Sequence, residues 1–440
     1  MHSDWFRVIL SVLLSLLAGA AHAGPVIEHW NSERGGRVYF VHADDLPLVD
    51  IRVVFDAGSA RDGKRYGVAS LTSSLLDTGA KNWDADAIAQ RLESVGARLG
   101  SGVSRDSTWL SLRCLTRPDI LEQSLDTVSA ILGSATFAQK DFDREKARVI
   151  AALHQREESP AVVARDLYFQ ALYGEHPYAH PSEGTLASAQ GLTRDHIVEF
   201  YKQYYVAANA VVVIVGDVTQ KQAKNLADQL LSGLPKGARA VSLPEVPDPD
   251  AGESKRVEFP SEQTHVYSGM AAMARNDPDY FPLYVGNHIL GGSGLVSRIS
   301  EEVREKRGLS YSAYSYFSPL LRKGPFTMGL QTRNDKVDEA LAVLNRTLAD
   351  FIDKGPTEEE LIAAKKNITG GFVLRFDTNQ KLTEYVAMIG FFGLPLDYLD
   401  TFSDKVEAVT RAQITDAFRK RIHPEKFKTV LVGGKSSETK

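Results

Sequence analysis

Two histidines four residues apart, a glycine-rich tetrapeptide and a lone cysteine are the first places where this sequence could do chemistry. His176 and His180 have a spacing that ligates zinc from one face of a helix. Their segment, however, reads Tyr173-Gly-Glu-His-Pro-Tyr-Ala-His-Pro181. Two prolines and a glycine make it a loop, so the spacing no longer aligns the imidazoles, and loop packing or capping is the expected role. Gly291-Gly-Ser-Gly294 follows a helical stretch and lacks the lysine of a phosphate-binding loop, so no nucleotide is expected there. Cys114 lies in Trp109-Leu-Ser-Leu-Arg-Cys-Leu115 and reads as a buried, inert thiol. As the only cysteine it leaves no intramolecular disulfide, and stability must come from the size of the core. No nucleophile-elbow G-x-S-x-G occurs, and spacing alone gives no Ser-His-Asp arrangement.

Any chemistry must therefore be assembled by a large fold. With 440 residues, 43% of them hydrophobic, the chain is long enough for two or three domains, each with its own core. A net charge of only -5 argues against nucleic acid as a partner, since duplex binders concentrate basic surface. The longest basic run, Arg419-Lys420-Arg421, reads like Lys365-Lys366 as a solvated helix face. Residues 1–23 read as a signal peptide: Arg7 as the basic region, Val8 to Ala20 as a short apolar core, and Ala21-His22-Ala23 as an A-x-A cleavage site. A membrane anchor would need about 20 apolar residues. The expectation is an exported, periplasmic protein with no membrane span in its mature chain.

The elements fall into two similar halves, residues 24–239 and 255–440, joined by a linker over 240–254 that carries Pro244, Pro247, Pro249 and Gly252. In the first half, strands are predicted at Val38–Val41, Val49–Phe55, Ser107–Leu115 and Ala210–Val215, the last a continuous β-branched run typical of burial. Helices are predicted at Tyr66–Leu76, Ala85–Val95, Ile120–Leu132 and Gln139–Glu157. The second half repeats the order. Strands are predicted at Val266–Met273, Tyr311–Phe317, Thr327–Thr332 and Thr429–Val432, and helices at Pro282–Leu290, Leu295–Arg307, Val337–Ile352 and Thr357–Asn367. Residues 137–148 and 356–367 match as acidic helix starts with basic residues in later turns. A repeat this long is a duplicated domain rather than a solenoid unit. Strands separated by paired helices, without a dinucleotide fingerprint, give an α+β class, with the crevice between the halves as the default ligand site.

The segment from Gly58 to Gly79, GSARDGKRYGVASLTSSLLDTG, resembles the opening of the pitrilysin/insulinase metallopeptidases, the inverzincins, where a strand ending in Gly-Ser leads into a helix bearing H-x-x-E-H. The resemblance spans essentially the whole mature chain. Phe142 through Leu153, Ala171 through Tyr178, Phe200 to Tyr205, Asn209 to Asp217 and Leu290 through Tyr311 sit in family order. It implies two homologous domains of the LuxS/mitochondrial-processing-peptidase-like metallohydrolase type, each an antiparallel-rich sheet with helices packed on it. Laid on that pattern, Ser70, Ser73 and Ser74 stand for the first histidine, the general-base glutamate and the second histidine. Ala151 stands where the remaining glutamate ligand would be. Catalytic zinc needs three nitrogen, sulfur or carboxylate donors and a polarised water. Serine hydroxyls ligate poorly, a methyl group cannot ligate, and no carboxylate remains to take a proton. No metal or other cofactor is expected in this chain.

The segment Val303-Arg-Glu-Lys-Arg-Gly-Leu-Ser-Tyr311 matches the arginine–tyrosine pair that the family carries in its C-terminal domain, Arg304 and Tyr311 here. Gly308 is expected to end the helix bearing Arg304 and start the strand bearing Tyr311. Arg307 and Tyr314 share the same separation, and a surface arginine with a core tyrosine is the plain alternative. The family includes heterodimers in which one subunit holds zinc and the other supplies this pair. The resemblance thus implies a zinc-free subunit of an exported peptidase, partnered by an H-x-x-E-H homologue and gripping extended peptides along a sheet edge. The other reading is a peptide-binding or structural assembly protein on an inactivated protease fold.

Overall fold

A computed structural model describes residues 24–249 and 251–434, so the expected signal peptide lies outside the described residues. In the first half, alternating and β-branched runs form β1 (Glu28–Asn31), β2 (Arg37–His42) and β3 (Leu48–Phe55). A short ribbon of β4 (Gly79–Ala80) and β5 (Trp83–Asp84) follows, then β6 (Arg98–Val103), β7 (Thr108–Leu115) and β8 (Ala210–Gly216). The main sheet has the order β1-β2-β8-β3-β7-β6. Only β2 and β8 run parallel. The second half supplies β9 (Glu253–Val257), β10 (Gln263–Met273), β11 (Ala313–Phe317), β12 (Gly324–Arg333) and β13 (Lys428–Val432). They are ordered β11-β12-β10-β13-β9, with only β9 and β13 parallel.

With β1 set aside, the two sheets match strand for strand. β2-β8-β3-β7-β6 and β9-β13-β10-β12-β11 have the same order, and the single parallel pair sits at the same place in each. The helices repeat too. Strand β7 is followed by helices Pro118–Gly133, Gln139–Glu157 and Pro160–Tyr173, and β12 by Val337–Lys354, Glu358–Gly370 and Asn379–Phe392. The architecture is α+β with two domains of one kind. The match between residues 137–148 and 356–367 falls on the second helix of each trio.

The third helix of each trio crosses to the other half. Pro160–Tyr173 packs on β10 and β13, and Asn379–Phe392 packs on β3 and β8. Tyr168 Oη donates to the Phe326 carbonyl at 3.1 Å, Tyr173 Oη to that of Lys323 at 3.1 Å, and Arg37 to that of Gly390 at 2.7 Å. Close approach demands glycine at both contacts. A Cβ at Gly390 would lie 2.6 Å from the Tyr39 ring, and one at Gly269 2.5 Å from Tyr168 Oη. The central strands of the first sheet are therefore buried on both faces. Val38, Phe40, Ile51 and Val212 pack against their own helices, while Tyr39, Val54, Val211 and Val213 join the core of the second half. Every residue of β8 is buried as a result, the burial its β-branched run predicts.

Residues 240–249 have no regular structure but are held at several points. Arg61 donates to the Val241 carbonyl at 2.7 Å, Asn209 accepts from the Ala240 N–H at 3.2 Å, and Arg322 donates to the Leu243 carbonyl at 2.8 Å. Strand β9 begins at Glu253, so it takes up the last residues of the 240–254 stretch. The predicted helix Leu295–Arg307 is corrected to a 3-10 turn at Gly294–Val296, a single turn at Arg298–Ser300 and a π turn at Glu301–Glu305. Gly294 at φ 66° breaks the run, and the Ser297 side chain restarts it by accepting from the Ser300 N–H. No helix of the described residues is long and apolar enough to cross a membrane.

Candidate functional site

Ser70, Ser73 and Ser74 lie together on the helix Val68–Leu75, which packs against Gln139–Glu157, the helix that carries Ala151. The helix is capped from the preceding loop rather than by an adjacent residue. The Asp62 carboxyl group accepts from the Gly67 N–H at 2.6 Å and the Ala69 N–H at 3.0 Å, answering two donors of the first turn. Ser74 Oγ donates to the Ser70 carbonyl at 3.0 Å, Ser73 is buried, and Ala151 presents its methyl to solvent. Zinc has nothing to bind here: the hydroxyls are short, one is already bonded to its own helix, and the fourth position has no donor atom. Of the neighbouring acids, Asp77 is a single carboxylate, too few donors for zinc, and two others are engaged. Glu145 is paired with Arg148 at 2.6 Å, and Asp141 with Arg144 at 2.7 Å. Among the described residues no group of three or more His, Cys, Asp or Glu side chains could hold a metal ion.

The cleft survives around these positions. Ser74, Asp77, Arg144 and Arg148 line a cavity of about 770 Å3 whose far wall includes Arg98, Leu99 and Ser101 of β6. Among the described residues strand β6 is the outer strand of its sheet and pairs with β7 alone, which leaves its second row of backbone groups without a strand partner. A smaller cleft of about 290 Å3 lies between the halves, lined by Arg52 and Trp109 on one side and Gln380, Thr383 and Glu384 on the other. The larger cavity thus belongs to the first half alone.

Arg304 lies in the π turn Glu301–Glu305, and Gly308, at φ 61°, turns the chain out of it. The Gly308 N–H donates to the Arg304 carbonyl and the Leu309 N–H to that of Val303, both at 2.9 Å. The expected strand Tyr311–Phe317 is corrected: Tyr311 lies in the loop before β11, which starts only at Ala313. Ser310 sets a local turn in place of ladder pairing: its single hydroxyl proton lies between the carbonyls of Gln331 at 2.7 Å and Ser312 at 2.8 Å, and its oxygen accepts from the Ser312 N–H at 3.2 Å. Tyr311 is 85% exposed, and among the described residues nothing hydrogen-bonds its hydroxyl. Arg304 reaches only its neighbour Glu305, at 3.5 Å. The register-shifted pair is engaged instead. Arg307 is clamped by Glu302 at 2.6 Å, and Tyr314 stacks with Tyr316 while burial pushes its phenol up. No hydrogen bond or ion pair joins Arg304 or Tyr311 to the serine helix.

His176 and His180 have the packing roles expected. His176 Nδ1 accepts from the Tyr178 N–H at 3.1 Å, which leaves Nε2–H to donate to the Pro244 carbonyl at 3.0 Å. His180 stacks on Tyr66 at 4.2 Å. Cys114 is buried, and desolvation pushes its thiol up to about 11, away from thiolate chemistry. Two buried carboxyls escaped sequence reading. Burial pushes Asp62 up to about 8 and Asp106 up to about 6. Asp106 accepts from Tyr178 Oη at 2.5 Å and from the Leu321 N–H at 2.8 Å, so it ties the β6–β7 turn to the second half. A lone aspartate in a turn carries no pattern that would announce this.

Comparison with known proteins gives a consistent result. Residues 37–186 match the family described as insulinase (peptidase family M16), and residues 191–368 match the peptidase M16 inactive domain. A non-peptidase homolog, YmxG, of Helicobacter pylori is 27% identical over 398 residues, 89% of this chain and 90% of that protein. An uncharacterized zinc protease of Streptomyces coelicolor is 29% identical over 318 residues, 70% of this chain and 68% of that protein. Among solved structures, a peptidase M16 inactive domain from Pseudomonas fluorescens aligns with a TM-score of 0.90 and 35% identity, covering 94% of this chain and 99% of that one. A protease from Helicobacter pylori shares the fold at a TM-score of 0.84 and 20% identity, covering 93% and 99%.

Proposed function

The chain belongs to the insulinase-like M16 peptidase family, and from that premise we propose that it is a zinc-free, non-catalytic subunit of an exported peptidase. It would pair with an H-x-x-E-H homologue and supply Arg304 and Tyr311 to an extended peptide bound at the partner's zinc site. The observation that carries this reading is a contrast. The helix that should hold metal has no competent donor, whereas Tyr311 has no hydrogen-bond partner among the described residues and stands on a loop turned outward by Gly308. When a peptide carbonyl is attacked, negative charge develops on its oxygen, and a phenol O–H can donate to it without being consumed. A forked guanidinium suits a neighbouring carbonyl or carboxylate and would fix the register of the peptide. Strand β6 with its adjoining cleft would seat an extended chain by strand addition.

Co-expression with a homologue that retains H-x-x-E-H, followed by size-exclusion chromatography and peptidase assay, tests the proposal. Co-elution is expected, with an interface above ~1,200 Å2 in total. Activity should rise on mixing, and this chain alone should carry no stoichiometric zinc and cleave no peptide. Separate elution at micromolar concentration with no gain on mixing would sink it. The open β6 edge beside an inert cleft would then favour a protein that binds peptide without cutting it.

A further inference from the structure

A cavity of about 320 Å3 in the second half takes no part in the function proposed above. It opens between the helices Tyr280–Asn287, Asn379–Phe392 and Tyr398–Glu407. Tyr280 and Tyr284 form one wall, their rings parallel to within 6° and 5.8 Å apart, and Tyr398 and Phe402 are buried beneath. Two arginines enter it. The Arg275 guanidinium stands 4.7 Å over the Tyr280 ring and donates to Tyr280 Oη at 3.0 Å, to Tyr398 Oη at 3.2 Å and to Met388 Sδ at 2.7 Å. Arg375, at the exposed rim, donates to Tyr284 Oη at 2.9 Å.

Every acceptor these guanidiniums have found is neutral. Among the described residues, neither arginine lies within ion-pair distance of a carboxylate. Glu384 is the one acid on the lining, and it stands 3.6 Å from Arg52. Half-buried Arg275 is thus a positive charge without a carboxylate partner in an aromatic pocket, which is unusual because arginines drawn into a structure pair as a rule, and Arg375 adds a second charge at the rim. The phenols add to the imbalance. Tyr280 is also in hydrogen-bond contact with Tyr398, whereas the Tyr284 hydroxyl, which accepts from Arg375, has no acceptor of its own among the described residues and keeps its proton for a ligand. The cavity is thus rich in donors, poor in acceptors and walled by aromatic faces. A carboxylate answers the forked donors, and a flat ring answers the parallel tyrosines. The volume falls at the lower end for small-ligand pockets, about 300–1,000 Å3.

The geometry points to a binding site for a small aromatic carboxylate, its acid group on the donors of Arg275 and Arg375 and its ring against Tyr280 and Tyr284. A free aromatic acid and a peptide ending in an aromatic residue share this chemistry. Isothermal titration of the full chain with benzoate, N-acetylphenylalanine, its amide and inorganic phosphate separates them. Saturable binding of at least one of the two acids at ~1 mM or tighter is expected. Benzoate alone would mark a free acid as the ligand, and N-acetylphenylalanine a peptide terminus. Arg375→Gln, at an exposed position that the fold does not depend on, should weaken binding at least about tenfold, and Tyr284→Ala should weaken it as well. Four results would each overturn the site: no saturable binding of either acid, an amide that binds as well as its acid, phosphate that binds as well as the aromatic acids, or an Arg375→Gln chain with unchanged affinity.

Discussion

A side chain kept for its own fold is usually held by that fold, and the residues around Tyr311 divide on this criterion. Arg307 has Glu302, Tyr314 has a stacking partner, and Tyr311 has neither. In the reconstituted complex, Tyr311→Phe should lower kcat by ~10²–10³, the usual effect of removing one oxyanion donor, with assembly unchanged. Arg304→Ala should act mainly through KM, and Tyr314→Phe should leave the kinetics nearly untouched. Steady-state kinetics of the three complexes decides it: wild-type kcat/KM for both Tyr311→Phe and Arg304→Ala would remove this chain from the catalytic site. Asp62 gives a second residue-level expectation, one of pH. Burial raises its folded-state pKa from 3.8 to about 8, so the native state holds the extra proton across that window. Its contribution to stability is full at low pH and is lost as pH rises towards 8. Buried His176 and His180 are pushed below 6.5, so theirs is present above 6.5 and lost as pH falls. Above pH 6.5 the histidine contributions are constant, so the fall between pH 6.5 and 8 comes from buried carboxyls, Asp62 among them. Thermal melts should show wild-type Tm falling across that interval, and Asp62→Asn should flatten the fall whatever its constant offset. An equal slope in both proteins would refute the assignment.

At the scale of elements, the crossing helices make the sharpest demand on sequence. Alanine normally improves a helix over glycine by ~1 kcal/mol. At Gly390 the added methyl would press on the Tyr39 ring and lie 2.9 Å from Val211 Cγ1, both in a packed core. Overpacking of that kind costs about 1–3 kcal/mol, so Gly390→Ala should destabilise the protein, read as a lower urea midpoint at unchanged m-value. A higher midpoint would mean that the contact is slack. The same crossing accounts for what the sequence hid. Strands β3, β7 and β8 and the helix Gln139–Glu157 were legible because each answers to one period or to continuous burial. Pro160–Tyr173 and Asn379–Phe392 lie between a helical layer and a foreign sheet, so their apolar residues follow no single stripe. Strand β6 has two glycines in six residues and an exposed edge, which masks its alternation. Family order, not periodicity, is what singles out Ser70, Ser73, Ser74 and Ala151, and likewise Arg304 and Tyr311. The delayed start of β11, set by the Ser310 hydroxyl, and the arginine pocket around Tyr280 exist only in three dimensions.

For the whole molecule, the exchange of helices decides what counts as a folding unit. Each half has a complete sheet and its own helical layer, which would suggest two domains that melt separately. Yet the second face of each sheet is covered by a helix from the other half, and the core that contains Val211 and Val213 also contains Leu283, Phe326 and Ile389. Buried polar contacts follow the same path: Tyr168 bonds to β12, and Asp106 bonds the Leu321 backbone. If one half were to unfold, the other would expose an apolar sheet face and strand a helix with no surface to cover. At ~25 cal/mol per Å2 of apolar area, uncovering about 400 Å2 would cost about 10 kcal/mol, as much as the whole stability of a typical domain. The chain should therefore unfold in one transition, with calorimetric and van't Hoff enthalpies in agreement. Residues 24–249 expressed alone should aggregate or remain partly folded, and co-expression with 251–434 should restore a soluble complex. Two resolved transitions, or a monomeric and cooperatively folded 24–249 fragment, would show that the crossed helices decorate the halves rather than join them. A subunit built as one rigid body would also present the Arg304–Tyr311 loop to its partner at a fixed distance from β6, which a hinged pair of domains could not do.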